Sequence, residues 1–575
     1  MSIHNSDIAD AFDEIGDLLS IQGDNAFRIR AYRRAAQIVR GLPRQIAEMV
    51  DSSELEQVPG IGQDLSKKIA EFSKTGRLAV LEKLRRQVPS GVRELLALPA
   101  MGPVRVRALM NSLHVASRAD LARALAAGRV GELRGFGPVL RAKLERSLAI
   151  KSSGTPERLP LSVAAQYAEP LRRYLAGVAG VERVEIAGSY RRCRDTVGDL
   201  DVLLSGSPGT EPIAAFERYP DVREVTAAGS TRAAGILRNG LPFDVRVVPP
   251  ESFGAALQYF TGSKDHGIHL RRRAQERGLK LSEYGLFRGT KRIAGKTEES
   301  VYERLGLSWI APELREDRGE IEAADRHALP VLIERADLRG DLHVHSVASD
   351  GDGSLEEMVA AARKWKLSYI AMTDHSKYLG IVRGLDADRL ERQGEAIDAL
   401  NGRLRGFTVL KGAEVDILED GRLALPDAVL ERLDVVVIAV HSHFGLPEAR
   451  QTARILRALE RPHVSILAHP SGRVLGEREP YAVDFDRVID AVHARGCFLE
   501  VNGQPLRLDL DDIHIKAAIE RGVRLSIASD AHASDQLANL EGGVRQARRG
   551  WARKEDVLNA RPLAEVRRLL LGARR

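Results

Sequence analysis

Residues 341–351 read DLHVHSVASDG and bring His343, His345 and Asp350 close together. On a strand, side chains two residues apart point to the same side, so the two histidines face one way. A carboxylate follows just past the strand. That is the start of a metal site, and the theme recurs downstream. TDHS supplies Asp374 and His375, GAEVD supplies Glu414, and AVHSHF supplies His441 and His443. LAHPSGR adds His469, and SDAH adds Asp530 and His532. Each set closes one of seven strand candidates: DLHVHS, LSYIAMTDHS, FTVLKGAEVDI, LDVVVIAVHSHF, VSILAHPSG, CFLEVNG and VRLSIASDAH, although CFLEVNG carries no histidine. Amphipathic segments such as SLEEMVAAARKWK and LDDIHIKAAIERG separate most of them. Strand–helix alternation implies a parallel sheet. Seven repeats imply a βα-barrel with its chemistry at the C-terminal ends of the strands. A single buried histidine is more often structural than a ligand. Burying this many polar groups at strand ends without ions would cost too much.

The rest of the chain sets limits on that reading. With 575 residues it is too long for one core, and three or four domains are expected. Of its 15 histidines, ten lie at or beyond His343, where even scatter would place about six. Metal chemistry therefore belongs to the C-terminal part. The 86 Lys and Arg against 80 Asp and Glu leave a formal charge of +6 and a pI near 9.2. This mild excess permits a nucleic-acid partner without demanding one. Cys193 and Cys497 are the only cysteines, which excludes a disulfide framework and a cysteine-rich zinc module. No apolar run reaches spanning length, and the N-terminus MSIHNSDIADAFDEIG is charged and helical in character. The expectation is a cytoplasmic protein without a membrane partner, monomeric by default.

Residues 1–150 read as helices. SDIADAFDEIGDLLSIQG has apolar residues at helical spacing, with Ser6 as the expected N-cap. A glycine-centred turn then recurs in LEQVPGIGQDLSKKIAEF (55–72), LLALPAMGPVRVRALM (95–110) and ELRGFGPVLRAKLERSL (132–148). Gly60 and Gly62, Gly102, and Gly135 and Gly137 mark the turns; Ala100 stands in the second where the first has Gly60. The helices that follow carry Lys67 and Lys68, Arg105 and Arg107, and Arg141. Glycines let the backbone approach a phosphate, and the free N–H groups of the second helix point at it. An ordinary helical hairpin capped by glycine explains one such turn. Three favour phosphate binding, and they resemble helix-hairpin-helix DNA-binding units.

After the polar linker KSSGTPERLP (151–160), strands and helices mix. VERVEIAGSY, DLDVLLSG and LPFDVRVVPP read as strands. In GSYRRCRDTVGDLDV (188–202), Asp199 and Asp201 alternate along a strand and face the same side. Asp244 in PFDVRVV offers a third carboxylate from another strand. A lone DxD is common, but three converging carboxylates suit two Mg²⁺ ions about 4 Å apart. Gly188 and Ser189 would bring backbone and hydroxyl donors to a triphosphate, and Arg192 would neutralise its charge.

The arrangement resembles the nucleotidyltransferase signature, here Gly188-Ser189 and Gly198-Asp199-x-Asp201, and more narrowly DNA polymerase family X. YFTGSKDHGIHLR (259–271) is similar to that family's dNTP-binding segment. The match implies Tyr259, Phe260 and Gly262 against the incoming sugar and Arg271 in nucleotide selection. Gly267 stands where beta-type relatives carry asparagine, and Pro242 where they carry arginine. Lys68 aligns with the lysine that forms a Schiff base in some relatives. Flanked by Lys67 and Asp64, it is expected to bind phosphate instead.

The barrel resembles the PHP (polymerase and histidinol phosphatase) family, which holds up to three divalent ions, Mn²⁺ or Zn²⁺ on ligand type. The resemblance implies one ion on His343, His345, Glu414 and Asp530, and a second on Glu414, His441 and His469. A third would sit on Asp350, His375 and His532, with His443 as an outer partner and Arg473 as a phosphate clamp. His343, His345 and Glu414 would be catalytic beside Asp199, Asp201 and Asp244 of the palm. The expected layout is multidomain α+β and α/β. It runs from a helical hairpin domain (1–85) and a fingers-like domain (86–155) to a palm (156–255) and thumb (256–317). A linker (318–335) and a distorted seven-stranded PHP barrel (336–575) complete it. The implied function is a DNA repair polymerase of base excision repair type, acting on gapped or primed duplex with dNTPs. Its barrel would process 3′ ends as a 3′–5′ exonuclease, apurinic/apyrimidinic endonuclease or 3′-phosphatase. A polymerase fused to a small-molecule phosphatase and a DNA-end-binding scaffold are the alternatives.

Overall fold

The structure is a computed structural model that describes residues 3, 5–41, 46–50, 55, 58, 60–96, 98, 101–133, 135–137, 140, 141, 144, 148, 158–206, 210–378 and 383–573. The chain divides into two compact units, Met1–Glu157 and Arg158–Arg575.

The first unit is helical. Ile8, Phe12, Ile15 and Leu19 recur at helical spacing in the helix Asn5–Gln22 and are buried against Tyr32, Ala35 and Val39 of Ala26–Gly41. Phe12 and Tyr32 meet edge to face at 5.8 Å. The first helix begins at Asn5, so Ser6 lies in its first turn and is not the N-cap. The Asn5 side chain instead accepts the backbone N–H of Ile46 at 2.6 Å, within the core. The three glycine turns share that core through Ile61, Ile69, Leu95, Leu98, Val106, Val130 and Phe136. Their glycines stay exposed.

The second unit begins with a five-stranded sheet in the stretch expected as the palm. Its spatial order is Val181–Ile186, Leu200–Gly206, Pro242–Val248, Arg232–Leu237 and Val222–Ala228. Leu200–Gly206 and Pro242–Val248 are parallel, and their register sets Asp201 opposite Asp244. The last two strands escaped the sequence reading. VREVTAA and RAAGIL are rich in alanine and arginine, and the first is largely exposed, so they lack the apolar alternation that signals a strand.

The thumb follows. Helices Phe253–Thr261 and Lys264–Glu276 lead to a small three-stranded sheet and the helix Glu298–Arg304. Residues 318–335, expected as a linker, pack instead. Ile321 and Ala324 of the short helix Glu320–Asp325 join the thumb core, and Ile333 enters the barrel core.

The barrel has the seven expected strands: Gly340–Val344, Tyr369–Met372, Thr408–Asp416, Val435–Ala439, Ile466–Leu467, Phe498–Asn502 and Leu525–Ala528. They are parallel and neighbour one another in chain order. A bridge from Val344 to Ala531 brings the last strand beside the first and nearly closes the barrel. Helices cover the outside and side chains fill the inside, which is why nearly every strand residue is buried. Among the described residues no helix is long and apolar enough to cross a membrane.

Candidate active sites

The palm site grows from a tight turn. Strand Val181–Ile186 runs through Ala187 into the one-turn helix Gly188–Arg191. Gly188 adopts φ +61°, and a Cβ there would stand 2.2 Å from Asp201 Oδ2. Glycine therefore lets backbone and carboxylate come together. Beside it, Ser189 Oγ is buried without a hydrogen-bond partner, a polar atom that a ligand would satisfy. Asp199 sits one residue before the strand that carries Asp201, and Asp244 lies opposite Asp201. Burial, with Asp199 and then Asp244 adding to it, pushes the Asp201 carboxyl up to about 7.

A cavity of about 670 Å³ opens over this face. Its lining brings together Gly188, Ser189, Arg192, Asp199, Asp201, Tyr259, Phe260, Gly262 and Arg271, all expected from sequence. Gly198 borders it, against the Arg158 guanidinium. Arg271 lies over the Tyr259 ring at 5.6 Å and Arg246 over Phe260 at 4.7 Å. Arg158 and Lys264 also line the cavity, and sequence reading missed both. Arg158 is placed by bonds from Nε to Thr196 Oγ1 at 3.0 Å and from Nη2 to the Thr196 carbonyl at 2.5 Å. It lies in what read as a linker, where nothing marked it. Asp244 is not part of the lining. Its Oδ2 accepts Arg232 Nη2 at 2.6 Å and its Oδ1 accepts Arg246 Nε at 3.0 Å. Two guanidinium groups thus pair with Asp244, while burial and the neighbouring carboxylates disfavour charge on Asp201, a cost that a bound cation would relieve. The donor set thus fits divalent ions.

In the barrel, Glu414 is the hub. Its Oε1 lies 2.8 Å from His469 Nε2 and 3.1 Å from His441 Nε2. Its Oε2 lies 2.9 Å from His375 Nδ1, 3.5 Å from His343 Nε2 and 3.7 Å from His345 Nε2. Three groups have ligand atoms within 4.8 Å of one another: His345, Asp350, His375 and His532; His343, His345 and Asp530; and His375, Glu414 and His441. Eight of the nine expected ligands fall in these groups, and His469 joins them through Glu414 Oε1. The grouping differs from the expected one: His345 and His375 each serve two sets, Glu414 falls only in the set with His375 and His441, and His469 falls in none. The fit to metal rests on orphaned nitrogens: His343 Nε2, both ring nitrogens of His345 and His469 Nδ1 are buried without hydrogen bonds.

The electrostatics agree. Burial opposes a charged His343, yet Glu500, Glu414 and Asp530 hold its pKa well above the ordinary value. Burial also opposes charge on His441 and His532, but Glu414 lifts the first to about 9 and Asp350 and Asp530 lift the second to about 9. Burial depresses His345 and His469 to about 4, helped by His532 and Arg507 respectively. Burial would raise Glu414, but His375, His441 and His343 hold it well below the carboxylate range.

Supporting residues complete the site. Glu500, which the sequence reading passed over inside CFLEVNG, accepts from His343 Nδ1 at 2.6 Å and from the His469 backbone N–H at 2.7 Å. Asp416 holds His441 Nδ1 at 2.9 Å. His443, expected as an outer partner, is exposed, and its nearest carboxylate is Glu419 at 3.7 Å. Asp374 accepts bonds from Ser346, Ser349 and Gln393, a structural role. Arg473 is not poised as a phosphate clamp. Its Nε donates to the Arg507 carbonyl at 2.9 Å, its Nη2 to the Leu508 carbonyl, and its Nη1 to Asp195 Oδ2 of the palm at 3.0 Å. Arg507 stands nearer the ligands, with a buried Nε that makes no hydrogen bond and pairs with Asp530 at 3.6 Å.

In the helical unit, Gly60 and Gly135 adopt φ +82° and +91°. Gly62 and Gly102 cap the helices Gln63–Thr75 and Pro103–Leu113 in extended conformation. The space around Gly62, Gly102 and Gly137 is open. Lys67 is exposed, and Lys68 pairs with Asp64 and lies 6.0 Å from the Tyr32 ring. Arg107 donates to the Ser20 carbonyl at 3.4 Å, while Arg105 and Arg141 are partly buried beside the second and third turns. Of the third hairpin's helix only residues 140, 141, 144 and 148 belong to the described residues.

Residues 3–78 match the helix-hairpin-helix domain family, 256–316 the DNA polymerase beta thumb family, and 341–504 the PHP domain family. Over 572 residues the chain is 38 % identical to the DNA polymerase/3′-5′ exonuclease PolX of Bacillus subtilis (strain 168), covering 99 % of both chains. A probable phosphatase of Thermoanaerobacter sp. (strain X514) is 29 % identical over 230 residues, 38 % of this chain and 89 % of its own. One from Caldanaerobacter subterraneus is 28 % identical over 217 residues, 36 % and 80 % respectively.

Proposed function

The chain belongs to DNA polymerase family X, in the branch that carries a PHP domain, and from that premise we propose that it fills short gaps in DNA and trims 3′ ends. It is an enzyme with two activities, DNA polymerase and 3′–5′ exonuclease. The observation that carries the reading is the pair of separate acid clusters in one unit. One lines a cavity with phosphate-binding groups, and the other is packed with orphaned imidazole nitrogens.

At the palm, Gly188 and Ser189 offer N–H and hydroxyl donors to the triphosphate, with Arg192 and Arg158 drawing its negative charge. Asp199, Asp201 and Asp244 would hold divalent ions, Mg²⁺ on ligand type, and such ions, when bound, would supply activation of a primer 3′-hydroxyl and stabilisation of the leaving pyrophosphate. Tyr259, Phe260 and Gly262 close on the sugar, and Arg271, stacked on Tyr259, checks the shape of the pair. Gly267 leaves that checking to Arg271, whose Nη1 lies 3.3 Å from where a Cβ at Gly267 would stand. In the barrel, His343, His345, Asp350, His375, Glu414, His441, His469, Asp530 and His532 would hold up to three Mn²⁺ or Zn²⁺ ions, which would supply water activation and polarisation of the phosphoryl group. Glu500 and Asp416 fix the orientation of His343 and His441, and Arg507, beside Asp530, would supply positive charge to a bound phosphate. The hairpin glycines, with Lys67, Lys68 and Arg105, grip the DNA backbone. Lys68 is engaged with Asp64 on the same helix, which favours a phosphate-binding role over a Schiff-base one.

The test uses gapped DNA with Mg²⁺ or Mn²⁺. Asp199→Ala with Asp201→Ala abolishes nucleotide addition and spares the exonuclease, and His343→Ala does the reverse. Loss of both activities in either folded variant rejects the two-site reading. Relatives named as phosphatases favour a further 3′-phosphatase activity of the barrel. It is checked by release of phosphate from a 3′-phosphorylated end against a small phosphoester.

A further inference from the structure

The nucleotide end of the palm cavity is held from the barrel. The turn Arg192–Asp195 connects the one-turn helix of Gly188 and Ser189 to the segment bearing Asp199. Barrel arginines grip both its ends. Arg549, in the helix Leu540–Arg549, donates from Nη1 to the Arg192 carbonyl at 2.6 Å and to Glu316 Oε1 at 3.2 Å. Arg473 donates to the Asp195 carboxylate at 3.0 Å. Glu316 in turn accepts Arg192 Nε at 3.0 Å and pairs with Arg194 at 3.5 Å. Arg549 is itself fixed by Asp512 at 2.5 Å, and Asp512 also takes Arg318 at 2.8 Å.

The result is a chain of alternating charge, Arg192–Glu316–Arg549–Asp512–Arg318. Its three central members are buried or nearly so, with Arg549 only 4 % exposed. Charge-assisted bonds of this kind are short and geometrically demanding, and pairs withdrawn from solvent are little screened by salt. Without Arg549, the Arg192 carbonyl loses its partner, and Glu316 keeps only the arginines it is meant to orient.

We propose that Arg549, a residue of the exonuclease barrel, is a positioning residue for nucleotide binding by the palm. Through Glu316 and the Arg192 carbonyl it sets the guanidinium that meets the triphosphate. This rests on the reading of Arg192 as a nucleotide contact.

In the full chain, KM for dNTP and kcat on a one-nucleotide gap are measured for Arg192→Ala, Arg549→Ala, Arg549→Lys and the double alanine variant. Arg192→Ala raises KM about tenfold, the worth of one charge-assisted bond. Arg549→Ala raises KM about five- to tenfold with kcat within twofold and exonuclease unchanged. Arg549→Lys, which reaches fewer acceptors, recovers part of the loss. The double variant is no worse than Arg192→Ala alone, because both act through one contact. If Arg192→Ala leaves KM unchanged, the nucleotide-site reading itself falls. If it raises KM while Arg549→Ala does not, only the positioning role falls. Joint loss of kcat, KM and exonuclease in Arg549→Ala also overturns it, since Arg549 would then merely hold the fold together.

Discussion

At the palm, Asp201 is a carboxylate whose surroundings keep it protonated until about pH 7. Its ordinary value is 3.8, so between those values the folded chain binds a proton that the unfolded chain does not. Ionised Asp201 therefore costs stability in full above about pH 7, and the cost fades as pH falls toward 4. Asp201→Asn should raise the Tm of the palm-bearing unit by a few degrees at pH 8 in chelator, with the gain shrinking at pH 5. Equal gains at both pH values would count against the buried carboxylate. In the barrel, Glu500→Gln keeps the shape but weakens the grip on His343 Nδ1 and the His469 N–H. Metal affinity should fall about 10- to 100-fold, read as metal retained after dialysis against graded chelator. At this scale the sequence was most legible where chemistry is written in a short motif. GDLD and HVH name their own ligands, because strand geometry fixes where alternate side chains point. Glu500, Arg158 and Arg507 stayed silent because each acts through a partner far away in the chain.

Among the elements, legibility followed burial. The seven barrel strands read clearly because strands covered on both faces become apolar runs. The palm's outer pair, Val222–Ala228 and Arg232–Leu237, did not, although Arg232 reaches Asp244 from it. Residues 318–335 looked like a linker for want of periodicity, yet Glu320 is fully buried and accepts His266 Nδ1 at 2.6 Å, while Tyr302 holds the other ring nitrogen at 2.9 Å. That pair anchors the first turn of the thumb helix that begins at Lys264, on the cavity wall. One helix contact can be tested directly. A Cβ at Gly254 would stand 2.2 Å from the Thr297 backbone, where the palm-side helix Phe253–Thr261 meets the start of Glu298–Arg304. Gly254→Ala forces these helices apart and should cost about 1–3 kcal/mol in denaturant unfolding. A change within a few tenths would show that the packing yields.

For the molecule as a whole, two catalytic clusters share one compact unit, and the stretch 318–335 is anchored at both ends, by Ile321 and Ala324 in the thumb core and Ile333 in the barrel core. The barrel is therefore not on a leash. Arg473 and Arg549 fasten it to the palm, so the expectation is that the terminus, not the barrel, does the travelling. Choice between extending and trimming then becomes a race, decided by how fast the primer departs rather than by the speed of either reaction. Excess unlabelled DNA, added once a mispaired substrate is bound, should intercept ends in transit and lower their excision while leaving already paired ends to be extended. Excision that ignores such a trap would mean that the end passes across without ever letting go.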